Sequence, residues 1–189
     1  MTGDPPVEPE SHKPLDTRAR ILAAAARVSC ESGPAALSLD AVAAEAGVSK
    51  GGLLYHFPSK HELLRSMVQD HADRIRARMD ALAPGAREAG DGPRALRAYV
   101  QANREMLTAM RPPPAGVFAF LAAEPSLIAP IAALRAEIRA LAAACPDPAR
   151  AALVVFACKG IVLDTVTDAA GAPPPASAFD ALLAVAETL

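Results

Sequence analysis

The 189-residue chain is 52% hydrophobic but only 4% aromatic, and its 19 Lys/Arg against 21 Asp/Glu leave a formal net charge of −2. That balance argues against a generic polyanion binder, and the length admits one large domain or a small module fused to a larger one. Strong helix formers dominate and no run of alternating β-branched residues is present, so the expected fold class is all-α.

Residues 1–14 (MTGDPPVEPESHKP) are Pro- and acid-rich, lack the apolar core of a leader, and read as a disordered arm. A first helix is expected over 17–32, with Ile21, Leu22, Ala25 and Val28 on one face and Gly33-Pro34 as its stop. A second spans about 39–45 behind Ser38, and a third about 50–56 behind Ser49, each serine an N-cap. Ser59 and Glu62 form an S-x-x-E capping box, with Pro58 placed to staple onto Leu63. The fourth helix should reach about residue 82, its apolar face being Leu63, Leu64, Met67, Val68, His71 and Ile75. Residues 84–93 (PGAREAGDGP) read as a linker.

Five more helices are expected in the body, about nine in total. The first covers 93–110 with Leu96, Tyr99, Val100, Asn103, Leu107 and Met110 at helical spacing, and Pro112-Pro113-Pro114 breaks it. A short helix follows at 115–123. Another opens at Pro125, where Leu127, Ile131, Leu134, Ile138 and Leu141 repeat at four and three. Asp147-Pro148 opens the next, to about 169, and the last starts near Ser177. The penultimate helix is apolar nearly all round and needs cover on every side. A partner subunit is expected there, over Leu153, Val154, Ile161 and Val162, with Phe179, Leu182, Leu183 and Ala186 of the last helix beside it. The expected division is therefore an arm (1–14), a helix-turn-helix module (15–60) and a helical ligand-binding and dimerisation domain (61–189) that includes the connecting helix 61–82.

Cys30, Cys145 and Cys158 show no metal spacing and read as buried small hydrophobes. The longest apolar stretch, 151–158, is far below the ~20 residues of a bilayer span, and a cytoplasmic location is expected. Charge is uneven: residues 12–78 hold ten Lys/Arg and seven Asp/Glu, so the positive end lies on the helix-turn-helix.

The stretch 38–60 (SLDAVAAEAGVSKGGLLYHFPSK) carries the chemistry. Ala43 is small where two helices cross. Gly47 permits the tight turn, Val42, Val48 and Leu53 bury the junction, and Phe57 anchors the end of the third helix. Lys50, Gly51 and Gly52 form its first turn. Two glycines there cost roughly 1 kcal/mol each, a cost that close approach to a phosphate or base edge would justify. Tyr55 and His56 supply polar tips, and Lys60 can reach a phosphate.

The run T-R-x-x-I-L-x-A-A (17–25), Gly33, and S-L-D-x-V-A-x-E-A-G-V-S-K-G-x-L-x-Y-H-F-P-S-K-x-x-L-L (38–64) closely resembles the TetR-type bacterial transcriptional repressors. The body resembles them only in plan. The resemblance implies a homodimer on a palindromic double-stranded DNA operator, released by a small, largely apolar molecule, with no cofactor. It implies DNA contacts at Ser49, Lys50, Gly51, Gly52, Tyr55, His56 and Lys60, and phosphate contacts at Thr17 and Ser38. The chain departs from the family at Leu54, where a tyrosine often stands. Tyr99, Asn103, Met106, Met110, Phe118, Phe120 and Phe156 are candidate effector-pocket residues. No nucleotide loop, nucleophile elbow or H-x-x-x-H pair is present, which argues against an enzyme. Two alternatives remain: a helical protein-binding module whose helix-turn-helix does not read DNA, and a DNA-binding regulator without an effector.

Overall fold

The computed structural model describes residues 16–109, 124–167 and 176–189. The arm at 1–14, the helix expected over 115–123 and the candidate pocket residues Met110, Phe118 and Phe120 lie outside the described residues. Among those described, the chain is all-helical: α1 (Thr17–Ala36), α2 (Leu39–Ala46), α3 (Lys50–His56), α4 (Lys60–Leu82), α5 (Gly92–Ala109), α6 (Pro125–Ala143), α7 (Pro148–Thr167) and α8 (Ala176–Ala186).

The first three helices and the start of α4 close a head around Ile21, Leu22, Val42, Leu53, Phe57 and Leu63, each at most 4% exposed. Here α1 outruns its expected stop at 32, continuing through Gly33 and Pro34 to Ala36. Proline's fixed φ is helical, and so close to the C-terminus it removes one intrahelical bond without forcing a break. Nor does Gly33 adopt a left-handed cap; positive φ among the described residues is confined to Gly47, Gly85 and Gly90. The helix ends instead at Leu37, which is extended and 2% exposed, buried in the head core.

The body is built around α5, which packs against α4, α6, α7 and α8. Its core joins Ile75 and Met79 of α4 to Leu96, Val100, Ile138 and Val154. Ala72, Ile75 and Met79 carry the inner face of α4, whereas His71, expected on that face, is exposed. A three-to-four-residue period through Ala72 leaves position 71 outside the buried stripe.

Residues 84–93 form an ordered corner where a linker was expected. Ala86 is fully buried. Arg87 grips Asp80 with two parallel bonds of 2.6 and 2.7 Å and also pairs with Glu137 of α6, which takes a 2.9 Å bond from Arg76. Bidentate pairs of this kind fix geometry as well as charge. Gly92 then starts α5 hard against the end of α6. A β-carbon at 92 would lie 2.4 Å from the Leu141 carbonyl oxygen and 2.7 Å from Cys145 Sγ, so only glycine permits the approach.

The described thiols, Cys145 and Cys158, are free and buried. Burial raises both above the ordinary thiol value, that of Cys158 to about 12. No helix among the described residues is long and apolar enough to cross a membrane.

Candidate nucleic-acid interface

Three serine hydroxyls build the ends of the reader. Ser38 Oγ accepts the Ala41 N–H at 3.1 Å, Ser49 Oγ the Gly52 N–H at 3.0 Å, and Ser59 Oγ the Glu62 N–H at 3.1 Å. Each cap satisfies one orphan donor of its helix. A hydroxyl that accepts in this way keeps its own proton to donate, so Ser38 and Ser49 can cap a helix and still offer O–H to a phosphate oxygen.

Between α2 and α3, Gly47 takes the left-handed conformation (φ 64°, ψ 39°). Its N–H donates to the Ala44 carbonyl at 3.1 Å and that of Val48 to the Ala43 carbonyl at 3.0 Å. This is the Schellman pattern, and it turns the chain within three residues.

Leu53 of α3 and its C-cap Phe57 are buried in the core while Tyr55 stands 85% exposed, edge-on to His56 at 5.2 Å between ring centroids. Leu54 and His56 are half-buried. Gly51 is exposed, and a β-carbon there would meet only the Ser49 hydroxyl, at 4.0 Å. Gly52 is tighter: its β-carbon would lie 3.3 Å from that capping oxygen. So Gly52 has a reason internal to the cap, and Gly51 has none. Lys50 is exposed, and its ammonium sits 3.0 Å from the Asp40 carboxylate of α2 in an open surface pair. Thr17 and Lys60, each half-buried, open α1 and α4.

Two arginines absent from the sequence-based site find side-chain partners across the head helices. Arg18 lies over the Phe57 ring, 5.2 Å from its centroid, and reaches Ser66 Oγ at 3.3 Å. Arg27 pairs with Glu45 at 2.6 Å, tying α1 to α2. Their signal was tertiary: nothing in the local sequence says which arginines would find partners across helices.

The candidate pocket is only partly assembled. Tyr99 and Asn103 lie together in the body core, 7% and 8% exposed, with Asn103 Nδ2 donating to the Tyr99 carbonyl at 2.8 Å. Burial raises the Tyr99 phenol above its ordinary value, so it stays a neutral polar tip. Met106 is half-buried, on the wall of an open groove between α4 and α5. Phe156 is 66% exposed and points away from this core, which corrects its place among the pocket residues.

The candidate partner face is redistributed. Val154, Phe179, Leu182 and Ala186 are buried inside the protomer and leave a partner no surface to touch. Ile161, Val162 and Leu183 are half-buried. Leu153 at 69%, Phe156 at 66% and Leu163 at 52% form the outward stripe of α7, with Val185 of α8 at 38%. No cluster among the described residues has the make-up of a metal site.

A capped helix-turn-helix on a helical body defines a class, the DNA-binding regulators. Residues 21–67 match the family model described as bacterial regulatory proteins, tetR family, and residues 93–187 that of the tetracyclin repressor-like C-terminal domain. The chain belongs to the TetR family, whose members are DNA-binding regulators and not enzymes. It is 36% identical over 87 residues to the HTH-type transcriptional activator FasR of Mycolicibacterium smegmatis, a match covering 46% of this chain but only 38% of that relative. A transcriptional regulator from Rhodococcus sp. is similar in structure at 26% identity, covering 92% of this chain and 95% of that one, with a TM-score of 0.64. The multidrug binding protein EbrR in complex with imidazole is similar at 26% identity, covering 90% and 94%, with a TM-score of 0.57.

Proposed function

We propose that this chain is a ligand-responsive transcriptional regulator, acting in the cytoplasm as a homodimeric repressor on a palindromic operator. The observation that carries the reading is the α2–α3 unit: two serine-capped helix starts, the Gly47 turn and the exposed Tyr55 lie on one small head. Helix N-termini favour phosphate, and an exposed aromatic hydroxyl beside them can reach sugar, phosphate or base. Thr17, Ser38, Ser49, Lys50, Gly51, Gly52, Tyr55, His56 and Lys60 are the proposed contacts.

The uncovered stripe Leu153–Phe156–Leu163 supports the homodimer. Burying such side chains is worth roughly 1.5–3 kcal/mol each. A dimer on successive major grooves must hold its recognition helices about 34–36 Å apart. An effector that shifts α4 changes that separation, to the extent that it binds one arrangement better than the other. The EbrR complex with imidazole supports a small-molecule effector by analogy, and Tyr99 and Asn103 would be its polar contacts. Repression follows from simple occupancy of a promoter; the FasR relative is an activator, so a promoter–reporter assay with and without the protein decides the sign.

The test is a mobility shift with DNA enriched from random sequence, at two salt concentrations, beside a Tyr55→Ala/Lys60→Ala double variant. Specific, salt-weakened binding that the variant loses supports the reading. Absence of any enriched sequence at low salt sinks it.

A further inference from the structure

Leu127 belongs by sequence to a body helix but by packing to the head. It is 1% exposed and sits in the head core with Phe57, Leu63 and Leu64. Its neighbour Ser126 places Oγ 3.4 Å from His61 Nε2, in the first turn of α4. Ten residues further along α6, Glu137 takes the bond from Arg76 of α4 and the pair with Arg87. Contacts therefore run in the same order along both helices, from 61–64 beside 126–127 to 76 beside 137. So α4 and α6 lie side by side in the same direction, joined at both ends.

A head joined to its body by one helix can twist about that helix's axis. A second attachment, off that axis, removes the freedom. The α1–α3 module has α4 as the first, and the seating of Leu127 supplies the second. We propose that Leu127 is a positioning residue: it fixes the orientation of the DNA-reading head on the body, so that α6, and not α4 alone, sets where the recognition helix points. This rests on the reading of the chain as a homodimer on a palindromic operator. Leu127 itself touches no DNA in this scheme. It acts through the head core, where close packing passes a displacement on without absorbing it.

The test uses the full chain, first confirmed as a dimer by sedimentation, and the duplex recovered by selection from random DNA. Variants of that duplex carry one base pair more or fewer between the half-sites. One base pair turns a half-site by about 35°, from a repeat of 10–10.5 base pairs. A fixed head cannot follow, and the wild type is expected to lose about tenfold or more in affinity. Leu127→Ala should lose about threefold or less on the same change, while binding an isolated half-site like the wild type. Leu127→Val gives an intermediate loss and serves if the alanine variant does not fold, and Leu127→Met restores the wild-type discrimination. Equal weakening on every duplex would mean that Leu127 only stabilises the head, and would overturn the proposal.

Hydrogen exchange reads the seating without reference to the dimer. In Leu127→Ala, or in Leu127→Val if that is the variant that folds, the Leu53 and Leu63 amides should exchange about tenfold faster or more, and those of Val154 and Val155 should not change. Unchanged head exchange overturns the proposal even if no palindrome is recovered. A monomer in sedimentation with a single half-site selected overturns the homodimer reading, and exchange then separates the two failures: faster head exchange keeps the seating of Leu127, unchanged exchange removes it.

Discussion

Gly51 and Gly52 stand side by side in the recognition helix for different reasons. Gly52 leaves the Ser49 cap room, since a β-carbon would come within 3.3 Å of the capping oxygen. Gly51 faces open space apart from that hydroxyl at 4.0 Å. Glycine inside a helix costs about 1 kcal/mol relative to alanine. Gly51→Ala is therefore expected to raise the stability of the head by about that amount in denaturant titration, and to weaken operator binding in the same preparation. Stabilisation with unchanged binding would remove Gly51 from the DNA face. At this level the caps and the turn were readable, because each signal is local: Ser38, Ser49 and Ser59 cap over three residues, and Gly47 turns over two. Arg18 was not readable, because its partners Phe57 and Ser66 lie about forty residues or more away in sequence.

The corner between α4 and α5 shows how a stretch rich in glycine and proline misleads. Composition marks 84–93 as a linker, yet Arg87 organises it through Asp80 and Glu137, the latter fifty residues on. Likewise Gly33-Pro34 carries the usual stop signal, but tertiary burial of Leu37 outweighs it. Both errors have one cause: turn chemistry is local and the contacts that override it are not. The hydrogen bonds from Arg87 hold the Asp80 carboxyl below its ordinary value, and those from Arg78 and Gln101 do the same for Glu105. A carboxylate with a depressed folded-state pKa stabilises the fold above its unfolded value, near 3.9 for Asp and 4.3 for Glu. That stability is lost as pH falls through the folded-state value. The thermal midpoint should thus hold steady from pH 7 to about 5 and drop below about 4. In Asp80→Asn the drop should be smaller. The Asp80–Arg87 share is roughly 1 kcal/mol, because the Asp80 side chain is 38% exposed and solvent screens it.

For the whole molecule, a penultimate helix apolar nearly all round raises the expectation of a partner without saying which side would meet it. With hydrophobic residues all round α7, only the assembled body shows that Val154 faces in and that Leu153, Phe156 and Leu163 face out. Phe156→Glu is expected to leave helicity and the thermal transition of the protomer close to wild type while sedimentation shifts from dimer to monomer. A dimer that persists would place the interface elsewhere. The pairing of Lys50 with Asp40 has a consequence for the complex as a whole. DNA carries a condensed layer of small cations, and each phosphate neutralised by the protein sets some of them free, steepening the fall of affinity with salt. A lysine already matched by its own carboxylate displaces fewer. This net-negative chain is therefore expected to show a salt slope shallower than its cationic residues would give. Asp40→Asn should steepen that slope by up to about one unit, on operator and on random DNA alike, so that the variant binds both more tightly at low salt with its preference for operator unchanged.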